Sequence, residues 1–328
     1  MFAVVAGHLD YFFFGTGIEL FSGGFIGVDL FFVISGFLIT RNLLADVSRY
    51  GRLRLQRFYW HRFLRLFPVL ALFLLLLVPE SFFGHLSAPD VLLTAVLSLL
   101  FYVYNWFVFF TLENVPGTGH LWSLSVEEQF YLVWPVALLL LGTRYRLRWL
   151  VGCAAVVGVV GLLRWAGWEQ GSSWLQLYLR TDLRLDTLMG GAALAFLGQA
   201  GASSHRVRKA LLITIGFFLL AVFTLDNEAP YMYRGGYTLI GLLSTLLVFL
   251  TVAGGMGSGW WPLERLARIS YGVYVYHMPI VMLCAGPVLG SWLPSETLRL
   301  GLAIVLTLTV AQLSYRVMER RFLALKSP

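Results

Sequence analysis

The chain has 328 residues, of which 59% are hydrophobic and only 12% are charged, and its formal net charge is +7. Soluble domains typically contain about 25% charged residues, so this chain has too little polar surface to face water on all sides, and we predict a membrane protein. Its two cysteines, Cys153 and Cys284, lie inside apolar segments, which argues against a disulfide framework and a thiolate metal site. We assign the excess positive charge to one membrane face and predict no binding to nucleic acid.

Apolar stretches recur along the whole chain and define the predicted elements. In chain order, the eleven candidate spans are residues 1–14, 24–44, 66–84, 91–111, 122–142, 149–168, 183–200, 210–226, 237–254, 269–288 and 298–318. We predict an all-α fold, a polytopic transmembrane helix bundle that forms a single membrane-embedded domain over residues 1–328 without an appended soluble domain. The first stretch is shorter than the roughly 20 apolar residues that a span needs, and we expect it to be the outer part of a helix that begins before Met1.

Most of the basic residues fall into five clusters, which indicate the topology. These clusters lie at residues 41–65, 144–148, 206–209, 265–268 and 316–326. Positive charge next to membrane spans stays in the cytoplasm, but eleven alternating spans cannot place all five clusters on one side. We predict that the stretch at 91–111 is the exception, because Tyr102, Asn105 and Trp106 make its second half amphipathic. It should re-enter the bilayer or lie along the outer leaflet, which leaves about ten spans with both termini in the cytoplasm.

The cluster at residues 41–65 is rich in arginine. It contains seven arginines and His61 but no lysine. One interpretation is a loop that fixes the topology and attracts anionic lipid. The other is a binding surface for a phosphorylated ligand, because arginine binds phosphate through two parallel hydrogen bonds. The excess of arginine over what topology requires favours the second interpretation.

Several predicted spans contain polar residues, although one charged side chain at the bilayer centre costs about 2.5–3.5 kcal/mol. His8 lies in the first stretch and Asp29 in the second. Glu127 and Glu128 are adjacent in the fifth, about 100° apart around a helix, so only one of them can face a given chamber. We favour Glu127, whose helix face also carries Ser123.

Other polar and aromatic residues are predicted to line the same chamber. They are Trp122, Ser123, Arg184, Asp186, Tyr274 and His277. For Arg184 and Asp186, a purely structural ion-pair network remains an alternative, as does a histidine bonded to a neighbouring helix for His8. A histidine beside a carboxylate is suited to general-base chemistry on a hydroxyl group, and we predict His8, Asp29, Glu127 and Glu128 as the catalytic residues.

Four motifs occur in order along the chain: GGFIGVDLFFVISGFLIT, RFYWHRFLRLFP, GHLWSLSVEEQFYLVWP and ISYGVYVYHMPI. Together they resemble the acyltransferase 3 family of integral membrane acyltransferases, over essentially the whole chain. The resemblance implies transfer of an acyl group, often acetyl, from cytoplasmic acyl-CoA to a hydroxyl of an extracytoplasmic glycan or glycolipid, in the bacterial plasma (inner) membrane. Acyl-CoA would be the donor substrate, and no permanently bound cofactor is implied.

The resemblance also implies residue roles. His8 matches the family's proposed catalytic histidine, Asp29 matches the acid of its GVDLFF motif, and Glu127 and Glu128 match its acidic pair. Arg62 and Arg65 match the cytoplasmic arginines of its FYxRRxxRIxP motif, which would contact the phosphates of acyl-CoA. From the same basic loop we expect Arg52, Arg54, Arg57 and His61 to bind acyl-CoA as well. His61 stands where the family commonly has an arginine. The family usually has an arginine upstream of the catalytic histidine, and that position would precede Met1. We see no SGNH-type domain after the last span, so we expect any second transfer to need a separate extracytoplasmic partner.

Two mechanistic routes remain open for His8. Oriented by Asp29 or Glu127, it would activate the acceptor hydroxyl as a general base, or it would carry the acyl group itself as a nucleophile. The rival interpretations are a transporter or flippase of an acyl donor or lipid-linked sugar, in which the buried groups relay protons, and a catalytically inactive member of the family.

Overall fold

The computed structural model describes residues 1–14, 20–84, 89–198, 205–254 and 261–326. The regular secondary structure of these residues is helical, without a strand. The α-helices are α1 Phe2–Phe14, α2 Ile26–Tyr50, α3 Leu55–Gly84, α4 Pro89–Leu100, α5 Tyr104–Thr111, α6 Trp122–Leu141, α7 Arg146–Glu169, α8 Trp174–Leu179, α9 Leu185–Leu197, α10 His205–Thr224, α11 Tyr237–Ala253, α12 Trp261–Ala285, α13 Pro287–Trp292, α14 Glu296–Ser314 and α15 Arg320–Ala324.

Seven helical segments of the described chain are long and apolar enough to cross a membrane. They are Ser22–Tyr50, Leu55–Leu76, Gly119–Leu141, Arg146–Glu169, His205–Thr224, Met232–Ala253 and Glu296–Ala324. The predicted all-α fold is confirmed, but the predicted count of about ten spans is not. The stretches predicted at 1–14 and 183–200 form α1 and α9, with 13 residues each, and the stretch at 269–288 belongs mostly to α12. Because α9 packs against α2, α7 and α11, it is enclosed by protein and does not need the length of a lipid-facing helix.

The stretch at residues 91–111 is divided into two helices, α4 and α5. They meet at Tyr102, which adopts a left-handed backbone conformation with φ of 54°, and such a conformation interrupts a helix because L-residues rarely adopt it. With 12 and 8 residues, neither helix reaches the roughly 20 residues that a span needs. This part of the chain is therefore a helical hairpin and not a single crossing segment.

Helices α2 and α9 cross in close contact at two glycines. A Cβ atom on Gly36 would lie 2.0 Å from the carbonyl oxygen of Leu188, and one on Gly191 would lie 2.0 Å from the carbonyl oxygen of Val33. Only glycine allows the two backbones to approach this closely. The crossing fixes α2, which carries the GVDLFF motif, against the interior helix α9.

The five basic clusters lie at one end of the bundle, hereafter the basic end. Arg41 shares a groove with the ends of α9 and α11, and Arg146 donates a hydrogen bond to the last carbonyl of α9. Val207, at the start of α10, lies beside the end of α11. Lys326 lines a cavity together with Arg57 of α3, and the start of α12 shares a groove with the end of α14. The clusters that the sequence predicted on one membrane face are thus on one face of the molecule.

Candidate active site

A cavity of about 380 Å³ lies towards the opposite end of the bundle. Two histidines, His8 from α1 and His120 from the turn before α6, line it, and we name it the histidine cavity. Seven of the other lining residues are aromatic, namely Tyr11, Phe21, Phe25, Trp122, Trp174, Tyr178 and Tyr274. An aromatic cavity with two imidazoles can bind a small organic group and exchange protons with it.

His8 is hydrogen-bonded to a second histidine. Its Nδ1 atom lies 2.9 Å from Nε2 of His277, and Nδ1 of His277 lies 2.7 Å from the carbonyl oxygen of Tyr274. A carbonyl oxygen only accepts hydrogen bonds, so Nδ1 of His277 carries the proton and its Nε2 is the acceptor in the neutral ring. His8 must then donate from Nδ1. The network therefore assigns a free lone pair to Nε2 of His8, the atom that a general base or nucleophile needs.

His277 thus has the role that the sequence assigned to a carboxylate. It is fully buried, and its ring lies at an interplanar angle of 17° to that of His8, with centroids 5.2 Å apart. In the better-known triads a carboxylate holds the catalytic histidine in one tautomer. Here His277 fixes the tautomer of His8 instead. Because Nδ1 of His277 carries the proton, its Nε2 can only accept, and His8 must therefore carry its own proton on Nδ1. The predicted orientation of His8 by Asp29 or Glu127 is not what the structure contains.

Asp29 is instead part of a buried ion-pair network behind the cavity. Its Oδ1 atom accepts a hydrogen bond of 3.2 Å from Arg184, and the neighbouring Asp186 pairs with Arg164 at 2.7 Å. All four side chains are at most 2% exposed. The guanidinium of Arg184 also stacks on Trp122 and Tyr178, two residues of the cavity wall. Arg184 and Asp186 support this wall and do not line it, and their partners come from other helices. Arg164 was missed because its helix gives no sign of which neighbour it faces.

Glu127 lies deeper in the bundle, on the side of the basic end. Ser35 and Tyr131 both donate hydrogen bonds to its Oε1 atom, and Arg62 approaches the same oxygen to 4.0 Å. Glu128 points elsewhere, as its position on the helix predicted, and lines a smaller cavity that also contains Arg62. The two carboxylates contact the arginine region and not His8.

The other residues predicted to line the chamber divide into two groups. Trp122 and Tyr274 line the histidine cavity directly. Ser123 contacts the hydroxyl of Tyr274, and this hydroxyl donates to the backbone carbonyl of His120 at 2.6 Å. His277 lies behind His8. These four residues are therefore assembled around one site, whereas Arg184 and Asp186 are outside it.

His120 was not singled out in the sequence, although it belongs to the GHLWSL motif. Its Nε2 atom lies 3.2 Å from the carbonyl oxygen of Val275. This carbonyl has no helical hydrogen-bond donor, because Pro279, four residues later in α12, has no N–H. Pro279 also packs against Gly117, where the chain enters the His120 turn. A proline four residues after a potential acceptor was the one signal in the sequence that pointed to this contact.

A second cavity, also of about 380 Å³, lies at the basic end, and we name it the arginine cavity. Of the residues predicted to bind acyl-CoA, Arg57, His61, Arg62 and Arg65 line it. Arg52 and Arg54 do not, since Arg54 stacks on Tyr50 with its Cζ atom 3.8 Å from the ring centroid. Nε of Arg57 and Nε of Arg62 are buried without a hydrogen-bond partner. Buried unpaired donors of positive charge favour an anionic ligand.

Lys326 adds a titratable charge to the arginine cavity. Partial burial, and the nearby positive charges of Arg65 and Arg62, lower the pKa of its amino group to about 8. Among the described residues, no group of three or more His, Cys, Asp or Glu side chains is arranged to hold a metal ion.

The fold and the two cavities define a class, a multi-pass membrane protein with a buried histidine site at one end and an arginine-lined site at the other. The model of the acyltransferase 3 family, described as an acyltransferase domain, matches residues 1–316. The chain belongs to this family. The resemblance stated from the four motifs is thereby confirmed.

Named relatives are similar to this chain over most of its length. The peptidoglycan O-acetyltransferase OatA of Listeria monocytogenes is 33% identical over 345 residues, which cover 97% of this chain and 53% of the relative. The putative peptidoglycan O-acetyltransferase YrhL of Bacillus subtilis is 32% identical, covering 91% and 50%. The O-acetyltransferase OatA of Staphylococcus aureus is 29% identical, covering 91% and 52%. The chain spans about half the length of these relatives, and no solved structure matches it.

Proposed function

We propose that the protein is a membrane O-acyltransferase, which moves an acyl group from acyl-CoA in the arginine cavity to a hydroxyl group in the histidine cavity. The hydrogen-bond chain from the Tyr274 carbonyl through His277 to His8 carries this proposal, because it leaves an unprotonated Nε2 atom at a cavity. The relatives are named O-acetyltransferases, and two of the three names specify peptidoglycan. Acetyl is therefore the proposed acyl group, and an extracytoplasmic glycan or glycolipid the proposed acceptor.

The proposed donor site uses the arginine cavity. The phosphates of acyl-CoA would bind to Arg57, Arg62 and Arg65, with Lys326 beside them. Hydrogen bonds between guanidinium and phosphate are charge-assisted and roughly twice as strong as neutral ones. The unpaired Nε atoms of Arg57 and Arg62 would then gain partners, which favours binding of the donor at this site over attraction of lipid alone.

The two cavities are separated by a layer of the bundle. Along α2, Ile39 lines the arginine cavity and Val28 the histidine cavity, about 16 Å apart at 1.5 Å per residue. Ser35 lies between them and donates to Glu127. The thioester arm of acyl-CoA would pass through this layer to reach His8. We infer that Glu127 contributes to the passage through its contacts with Arg62 and Tyr131, and not as the base.

The proposed reaction requires no bound cofactor. Nε2 of His8 takes the proton from the acceptor hydroxyl, and the oxygen of this hydroxyl attacks the thioester carbonyl carbon. The C–S bond then breaks, the ester is released, and the thiolate of CoA takes the proton from Nε2. General acid–base catalysis of this kind contributes about 10²- to 10⁴-fold to the rate. Nucleophilic attack by the same Nε2 atom, through an acyl-His8 intermediate, is the second route that this geometry supports.

The proposed membrane placement follows from the basic end. With this end in the cytoplasm of a bacterial plasma membrane, α1, α9 and α12 join the seven membrane-length segments and give ten crossings with both termini inside. The hairpin α4–α5 enters from the outside and returns, since Leu112, which follows α5, lines the histidine cavity. Where the final acceptor is too large for this cavity, a separate extracytoplasmic partner would pass the acyl group on.

The test is transfer of radiolabelled acetyl groups from acetyl-CoA to acceptors in membrane vesicles that contain the protein. His8→Ala should abolish incorporation, whereas His205→Ala, an exposed histidine at the start of α10, should leave it unchanged. Retained activity of folded His8→Ala would contradict the proposal. Uptake of the label without transfer, in a vesicle assay with a proton gradient, would favour the transporter interpretation.

A further inference from the structure

His120 carries a buried acceptor atom that nothing in the described structure satisfies. The side chain is 4% exposed and lines the histidine cavity. Its Nε2 atom faces the Val275 carbonyl and must donate, so in the neutral ring Nδ1 holds a lone pair. This Nδ1 atom has no hydrogen-bond partner. A buried acceptor left in this state carries a desolvation penalty, which a ligand with a matching donor would remove.

The unsatisfied atom lies close to the reacting atom of the proposed mechanism. The rings of His120 and His8 face each other edge-on, with centroids 6.5 Å apart. The hydrogen-bonded rings of His8 and His277 have centroids only 5.2 Å apart, so His8 and His120 are too far apart for a direct ring-to-ring hydrogen bond. Because both rings line the same cavity, one ligand there can contact both. Nε2 of His8 and Nδ1 of His120 are both acceptors. One alcohol O–H can donate to only one of them, so a monohydric alcohol leaves the other unpaired.

We propose that His120 determines acceptor specificity, by accepting a hydrogen bond from a second O–H or N–H group adjacent to the hydroxyl that reacts at His8. The acceptor class is therefore a polyol or amino alcohol, as in a sugar ring, and not a monohydric alcohol. The aromatic side chains of Trp122, Trp174 and Tyr178 in the same wall suit the apolar face of such a ring. This inference rests on the proposed function of the site.

The preference for an acceptor with a second hydrogen-bond donor can be expressed as a ratio of kcat/KM values. A site built to hydrogen-bond a substrate group rejects the analogue that lacks this group far more strongly than an apolar pocket does, because a buried polar atom is left unpaired. A single unpaired atom corresponds to about 10- to 100-fold in kcat/KM. The discrimination should disappear when the acceptor atom is removed from the protein.

The experiment compares two acceptors that differ by one hydroxyl, cis-1,2-cyclohexanediol and cyclohexanol, with labelled acetyl-CoA as donor and the purified chain in lipid nanodiscs. The wild-type protein should prefer the diol by about 10- to 100-fold in kcat/KM. In His120→Phe, which keeps a ring but has no acceptor atom, the rate with the diol should fall to that with cyclohexanol. A purely structural role would lower both rates in proportion and keep their ratio.

Three outcomes would overturn the inference. Equal use of the two alcohols by the wild-type protein would mean that water satisfies Nδ1 of His120, and this comparison does not depend on the folding of any variant. An unchanged preference in folded His120→Phe would place the discrimination elsewhere. Use of neither alcohol, while label enters acceptors native to the membrane, would exclude the proposed acceptor class. Absence of transfer from acetyl-CoA to every acceptor would refute the proposed function itself.

Discussion

Replacement of His277 by phenylalanine is the perturbation that bears most directly on the proposed site. Phenylalanine has a similar size but cannot accept the hydrogen bond that Nδ1 of His8 donates across 2.9 Å. The buried N–H of His8 would then lack a partner, at a cost of about 1–3 kcal/mol. His8 would relieve this cost by moving its proton to Nε2, the atom that must be unprotonated for the reaction.

The expected loss of activity follows from this cost. A penalty of 1–3 kcal/mol on the productive tautomer corresponds to about 5- to 150-fold in rate, and loss of ring orientation adds to it. Loss of the partner that fixes the tautomer of a catalytic histidine lowers kcat by up to about 10⁴-fold. We therefore expect kcat of His277→Phe to fall by about 100-fold, with a smaller change in the KM for acyl-CoA, because His277 does not line the arginine cavity.

His277→Gln is the matched variant, because its amide oxygen can accept from Nδ1 of His8. It should retain kcat within about 10-fold of the wild-type value, since it replaces one hydrogen bond by another. His205→Phe, at the exposed start of α10, controls for the loss of a histidine as such. The assay is acetyl transfer under saturating acceptor, with thermal unfolding of each variant to confirm folding. ¹⁵N spectra of labelled histidine rings would report the tautomer of His8 directly.

Two results would refute this reasoning. Wild-type kcat in folded His277→Phe would mean that the tautomer of His8 is fixed by something else or does not matter. Equal losses in the phenylalanine and glutamine variants, with an unchanged Nδ1–H tautomer in the ¹⁵N spectrum, would mean that His277 acts by packing alone.

Three further predictions concern the donor site and the fold. Arg57→Ala should raise the KM for acyl-CoA by about 10- to 100-fold through loss of a charge-assisted hydrogen bond, whereas Arg52→Ala, outside the arginine cavity, should leave it unchanged. The KM for acyl-CoA should rise between pH 7 and pH 9, because Lys326, whose pKa is about 8, loses its positive charge in this range. A titration of KM with pH should show this step in the wild-type protein and not in Lys326→Met. Gly36→Val should destabilise the fold by about 1–3 kcal/mol or more through overpacking against α9, seen as a lower unfolding temperature in detergent, whereas Gly216→Ala, with open space around its Cβ position, should not.

The sequence located the reacting residue but not its partner. His8 was recognisable because it matches the family's proposed catalytic histidine and lies in an apolar segment. Its partner His277 lies 269 positions away, and the sequence predicted only that His277 lines the same chamber. The carboxylates were the natural candidates because they orient histidines in other sites, but in this fold they contact arginines, since a buried carboxylate needs a positive partner more than a neutral ring does.

The arginine cavity shows the same division. The sequence predicted a basic loop, and four of its six named residues do line one cavity. Arg52 and Arg54 could not be separated from them, because a loop of alternating arginines gives no indication of which side chains turn inwards. Lys326 was absent from the predicted site, since it reaches the cavity from the other end of the chain.

The sequence was sufficient to predict an all-α membrane protein, basic clusters that share one face, and membership of the family. These properties depend on composition, local apolar runs and short motifs, which act over one helix at a time. Three features became visible only in the folded chain: His277 orients His8, Pro279 frees a carbonyl for His120, and α9 is an enclosed helix of 13 residues. Each of these depends on which helix faces make contact across the bundle, and this is set by the packing of the whole chain.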